Sequence, residues 1–138
     1  MPNGIDLILE DHRVVDALFL ELSETGDATI IGQIVGHLIA HDDAEHAALY
    51  PLLGELLGDV AAIEQAALAH SLVKKQIDAM KSLEGEALTA AALVLQELVD
   101  EHVADEEERL LPRLAEAATP QQLEWLGAHI EQTKQRVG

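Results

Sequence analysis

The sequence predicts an all-α protein: an antiparallel, up-down-up-down four-helix bundle with a short fifth helix at its C-terminus. Three observations predict it. Apolar residues recur three and four apart along almost the whole chain. Hydrophobic residues make up 49% of the sequence and aromatics only 2%. The core is therefore built from Leu, Ile, Val and Ala, a mix that favours helices over a β-sandwich. Turn residues divide the chain into four long segments joined by short loops, which makes successive helices antiparallel neighbours.

The first helix starts after Asn3, a good N-cap, and runs to about Glu24. Its inward stripe is Ile5, Ile8, His12, Val15, Phe19 and Leu22. Thr25-Gly26-Asp27 is the turn, and Asp27 can cap the next helix. The second helix runs from about Ala28 to Tyr50, with Ile30 or Ile31, Ile34, Leu38, His41, Glu45 and Ala48 facing inward. Pro51 is expected to end or kink it, because proline lacks an N–H and clashes with the preceding turn. Gly54 and Gly58 mark the loop. Asp59 caps the third helix, whose stripe is Ile63, Ala66, His70, Val73, Ile77 and Met80. A turn at Ser82 to Glu86 leads into the fourth, with Leu88, Ala91, Leu95, Leu98, His102, Glu106 and Leu110. After Pro112, Thr119 and Gln122 form a capping box with Pro120 at the first helical position. The last helix carries Trp125, the only tryptophan, and is expected against the side or end of the bundle.

With 138 residues and no linker-like tract, the chain reads as one domain over 1–138. The bundle covers about 4–115 and the C-terminal helix about 119–136. There is no cysteine, which excludes disulfides, zinc–thiolate sites and Cys nucleophiles. The 26 acidic residues against 8 basic ones give a formal charge of −18. Such a field attracts cations and repels nucleic acid and anionic membranes. The N-terminus carries no basic signal-like region, and no run of 18 clean apolar residues occurs. A cytoplasmic protein, free of nucleic-acid and membrane partners and either monomeric or a homodimer, is the expectation.

Two segments repeat one pattern. His41-Asp-Asp-Ala-Glu45 and His102-Val-Ala-Asp-Glu106 both read H-x3-E-x5-P, ending at Pro51 and Pro112. Each follows a lone helical histidine, His12 or His70, so the chain looks like two helical hairpins with matching polar residues. Residues i and i+4 lie on one helix face, one turn apart. His41 and Glu45 therefore point inward together, as do His102 and Glu106. His12 lies 14 residues before Gly26 and His41 lies 15 after it. Similar counts across the other loops put all four histidines near one layer. A single histidine on an apolar face is usually a satisfied core residue. Four at one level, with two carboxylates in repeat-matched positions, point instead to a buried metal site. Unpartnered, these groups would cost several kcal/mol each to bury. Imidazole and carboxylate without thiolate suit iron or manganese and permit zinc. Two carboxylates able to bridge favour a dinuclear centre.

These residues carry a resemblance. The DHR of the first helix, the HDDAE…LYP of the second, the lone His70 and the HVADEEERLLP of the fourth resemble a bacterial hemerythrin-like (HHE cation-binding) domain over roughly residues 5–115. The resemblance implies a bundle around two iron ions, a di-iron centre bridged by oxo or hydroxo. It makes His12, His41, His70 and His102 terminal ligands, and Glu45 and Glu106 bridging ones. The sequence departs from oxygen-carrying hemerythrins, which have H-x3-H on the third helix. Here Ala66 and Lys74 stand four residues from His70. One coordination position is left for water, peroxide or another side chain.

Tyr50, just before Pro51, is the candidate catalytic side chain, placed where a kink could swing it over the cluster. His37, one turn before His41, is a candidate substitute. His46 and His129 are expected to face solvent. Asp42, Asp43, Asp105, Glu107 and Glu108 form a solvated face, from which one or two could hold the outer N–H of a histidine. The functional expectation is a reaction with a small diatomic or peroxide ligand. It is either catalase-like removal of hydrogen peroxide or, alternatively, O2 or NO binding, storage or sensing without turnover.

Overall fold

The computed structural model describes residues 3–137, apart from the side chains of residues 136 and 137. Among the described residues all regular structure is helical. Helix α1 spans Gly4–Thr25. Helix α2 spans Thr29–Ala44 and continues through a widened π-helical stretch, π1 (Glu45–Leu49), into α3 (Tyr50–Leu57). Helix α4 is Val60–Met80. Helix α5, Gly85–Asp105, continues through π2 (Glu106–Leu110) into α6 (Leu111–Ala117). Helix α7 is Pro120–Val137. The bundle pairs α1 with α2 and α4 with α5, and α7 lies along α1, α2 and π1.

The caps follow the sequence. Asn3 Oδ1 accepts from the Ile5 N–H at 2.8 Å, Asp27 Oδ1 from Thr29 at 3.0 Å and Asp59 Oδ1 from Ala62 at 3.1 Å. Thr119 and Gln122 exchange both capping-box bonds. Gly26 and Gly58 close α1 and α3 in the left-handed region, with φ of 65° and 63°. A Cβ strains the backbone there.

The helix end expected at Pro51 does not occur there, and Pro112 behaves in the same way: each sits at the start of a further helical stretch. A proline cannot donate to the carbonyl four residues back, and its ring would strike that carbonyl. Here the turn just before each proline is widened. The Tyr50 N–H reaches back five residues to the Glu45 carbonyl, and the Leu111 N–H reaches the Glu106 carbonyl. The extra residue makes room for the ring, so the helix continues. The repeat H-x3-E-x5-P thus encodes a π turn that opens on its glutamate.

The inward faces of α1 and α2 match the predicted stripes. On α4, Ala62 rather than Ile63 is buried. On α5, Leu95 and His102 are buried as expected, while Ala92 and Val99 are buried in place of Ala91 and Leu98. Apolar packing falls into two layers. One holds Ile8, Leu49, Leu53, Leu110, Leu114, Leu126 and Ile130. The other holds Val15, Phe19, Ile34, Leu38, Val73, Ile77, Leu95 and Val99. The histidines and glutamates of the repeats lie along the same helices between them. Helix α7 seals the first layer. A Cβ on Gly4 would lie 2.4 Å from Leu126 Cγ, so only glycine lets the start of α1 meet α7 this closely. Trp125 faces outward and packs on His129, with ring centroids 4.0 Å apart. Truncating the fully buried Leu126 to Ala is expected to destabilise the fold by about 2–5 kcal/mol, read as a lower urea midpoint. A change below about 0.5 kcal/mol would show that α7 adds nothing to the core.

Candidate metal centre

Six polar side chains meet between the apolar layers. Helix α1 supplies His12, α2 His41, α4 His70 and α5 His102, while Glu45 and Glu106 are the first residues of π1 and π2. All six are buried, and Glu45 and Glu106 expose 1% and 0% of their surface. His12 Nε2 lies 3.2 Å from Glu106 Oε1, and His41 Nε2 3.2 Å from Glu45 Oε1. His70 Nε2 lies 3.0 Å from Glu45 Oε1, and His102 Nε2 3.2 Å from Glu106 Oε2. Donors bound to one ion at about 2.1 Å sit roughly 3.0–3.4 Å apart along the edges of its coordination shell. These separations fit.

The donors fall into two groups, His12–His41–Glu45–Glu106 and Glu45–His70–His102–Glu106, which share both glutamates. The hydrogen bonding inside the cluster is incomplete. Among the described residues, Nε2 of His12, Nε2 of His41 and all four oxygens of Glu45 and Glu106 have no hydrogen-bond partner. Nε2 of His70 and Nε2 of His102 face each other at 2.7 Å. If neither carries a proton, two lone pairs point at one spot. A cation there would use the lone pairs and cancel the carboxylate charge. The residues present fit a bound metal.

The outer nitrogens are held from behind, which fixes ring orientation. His12 Nδ1 meets Glu107 at 2.7 Å and His41 Nδ1 meets Asp11 at 2.9 Å. His70 Nδ1 is in close contact with Asp42. His102 Nδ1 has no hydrogen-bond partner among the described residues. Asp11 is in turn clasped by Lys134 of α7.

The structure corrects several expectations. Asp42 lies off the solvated face, 7% exposed and wedged between His70 and Lys74; it and Glu107 are the acids of that set that hold a histidine's outer nitrogen, as expected. His46, half-exposed, turns its Nε2 to 3.2 Å from Asp42 Oδ1 and 3.2 Å from His70 Nδ1. His37 is exposed and takes no part. Tyr50 does reach the cluster, carried there by the π1 turn rather than by a proline kink. Its hydroxyl lies 3.1 Å from His70 Nδ1. Asp11 was missed by the sequence reading; its position beside His12 was the available signal.

Charge follows from these contacts. Burial opposes a proton on His41, but Glu45 and Asp11 overcome it and raise its pKa well above the ordinary value. Burial likewise opposes protonation of His102, yet Glu106 and Glu45 lift it to about 10. His70 is raised against burial by Asp42 and Glu45. Burial would raise the Asp42 carboxyl, but His70 and Lys74 hold it down at about 2.

The arrangement defines a class: a helical bundle with a buried, carboxylate-linked imidazole cluster built to take cations. The sequence model of the hemerythrin HHE cation-binding domain matches residues 3–114, and the chain belongs to that family. A crystal structure of an HHE cation-binding domain-containing protein from Mycobacterium kansasii shares the fold. Its TM-score is 0.86 at 20% identity, over 99% of this chain and 88% of that one. A search of curated proteins finds no match.

Protons and metal compete for the same atoms. The carboxylates around His41, His70 and His102 raise their pKa values and so favour bound protons in the metal-free cluster, which metal uptake must expel. Calorimetry at pH 7 in buffers of different ionisation heat is expected to report about two or more protons released per chain. Affinity then rises with pH until the raised histidine pKa values are passed. A binding heat independent of buffer would contradict this.

Proposed function

We propose that His12, His41, Glu45, His70, His102 and Glu106 hold two iron ions, and that the protein removes hydrogen peroxide in a catalase-like reaction. The observation that carries the reading is the pair of donor groups sharing Glu45 and Glu106: two ions side by side, each seeing two imidazoles and both carboxylates. Nitrogen and oxygen donors without sulfur suit iron. Bound there, the iron pair would take up and return two electrons, so that one peroxide is reduced to water and another oxidised to dioxygen.

The chain's own groups serve that chemistry. A cavity of about 40 Å³ borders the cluster on its histidine side, lined by Val15, Leu38, Val73, Ile77 and Val99 among others. It has room for a diatomic molecule or a peroxide. Its exposed walls are mostly aliphatic. Glu107, Asp11 and Asp42 aim the inner nitrogens of His12, His41 and His70 at the cluster. Burial, with Glu45 and Glu106 nearby, raises the Tyr50 pKa far above its ordinary value. Its hydroxyl therefore keeps its proton and serves as a hydrogen-bond donor beside His70. The aliphatic cavity also favours a second reading, binding of O2 or NO without turnover.

Oxygen evolution from peroxide separates the two. Iron-loaded protein is expected to outpace the same amount of free iron by at least about tenfold, and Tyr50→Phe to lose about tenfold or more of that rate with both ions retained. A rate equal to that of free iron, together with a reversible oxygenated spectrum, would replace the first reading by the second.

A further inference from the structure

One cluster beside the centre shares His70 and Asp42 with it and adds His46, which that chemistry does not use. Asp42 and His46 form an i, i+4 pair on the same segment as His41 and Glu45, displaced by one residue. The equivalent positions of the second repeat are Val103 and Glu107, so only one edge of the centre has the pair. Asp42 Oδ1, His46 Nε2 and His70 Nδ1 converge on one point and make a separate group of possible metal donors. The His46–Asp42 and His46–His70 separations, both 3.2 Å, match the edge of a coordination shell; Asp42 and His70 are in direct contact, and an ion must part them as it enters.

The group spans the wall between solvent and core. The His46 side chain is 43% exposed, those of Asp42 and His70 9% and 6%. The His70 ring has one nitrogen in each compartment. Nδ1 faces Asp42 and His46, while Nε2 stands 3.0 Å from Glu45 and 2.7 Å from His102. One imidazole therefore separates the outer group from the inner one. On the outer side Lys74, its side chain 55% exposed, rests its ammonium 2.9 Å from Asp42 Oδ2. An ammonium on a flexible stem is a replaceable cation.

We propose that Asp42, His46 and His70 form a capture site for divalent first-row cations, through which iron(II) reaches the buried centre. An arriving ion, concentrated by the acidic surface, displaces Lys74 from Asp42 and is held by Asp42 and His46. It then passes inward as the His70 ring turns from the outer group to Glu45 and His102. No bond order or oxidation state changes in the transfer; Lys74 returns to Asp42 once the ion has left. This proposal rests on the reading of the inner cluster as a metal centre, and its test must separate the two.

Cobalt(II) is a suitable probe, because its visible absorption reports binding without turnover. Stopped-flow mixing with metal-free protein is expected to show His46→Gln slowing uptake by about fivefold or more, with the same final spectrum and ions per chain as the native protein. Lys74→Met, which removes the competing ammonium, is expected to speed uptake, an effect that a damaged fold does not produce. A smaller slowing in His46→Gln, no acceleration in Lys74→Met, or a lower final ion count in His46→Gln would each overturn the capture site. If native protein takes up no cobalt and no iron at all, the reading of the inner centre falls instead.

Discussion

Two glutamate side chains, buried beside each other in the middle of a helical bundle and flanked by four imidazoles, are the constraint on which the rest of this structure depends. A carboxylate moved from water into an apolar interior costs several kcal/mol even after the surroundings relax. Glu45 and Glu106 lie almost wholly out of solvent, and backbone amides do not compensate them. Either protons on the neighbouring histidines or bound cations must. The raised pKa values of His41, His70 and His102 are the protonic answer. The shared donor groups are the metallic one.

The backbone is shaped around the same two residues. Each glutamate opens a π-helical turn, and each turn is followed by the proline that an ordinary helix could not carry at that place. The extra residue per turn keeps α2–α3 and α5–α6 running past the centre, where Leu49, Leu53, Leu110 and Leu114 close the apolar layer beneath it. It also delivers Tyr50 to His70, while Leu111 at the matching position stays in the oily layer. The two halves are alike in their ligand donors and unlike in what surrounds them. Asp42, His46, Lys74 and Tyr50 all gather around His70.

Helical periodicity made the bundle legible, because apolar stripes with a period near 3.6 have few other solutions. The six central side chains were legible for a different reason. They interrupt those stripes at matching heights, and a charged residue on a buried face demands a partner. What the sequence concealed lies where that logic gives no signal. A π turn has no marker except a proline that is equally the mark of a helix end. Asp11 and Asp42 are two acids among 26, and nothing in the order of residues separates a carboxylate that braces a histidine from one that faces water. His46 seemed to belong to the outer face because an α-helical count puts it there, and its contacts with Asp42 and His70 were visible only in three dimensions.

Whether Glu45 and Glu106 are held between cations decides the nature of this centre. Anomalous diffraction at the iron edge, on crystals of iron-loaded protein, addresses this directly. Two peaks are predicted about 3–4 Å apart, one beside His12 and His41 and one beside His70 and His102, each within bonding distance of both glutamates. A single peak, or density away from the two carboxylates, would contradict it.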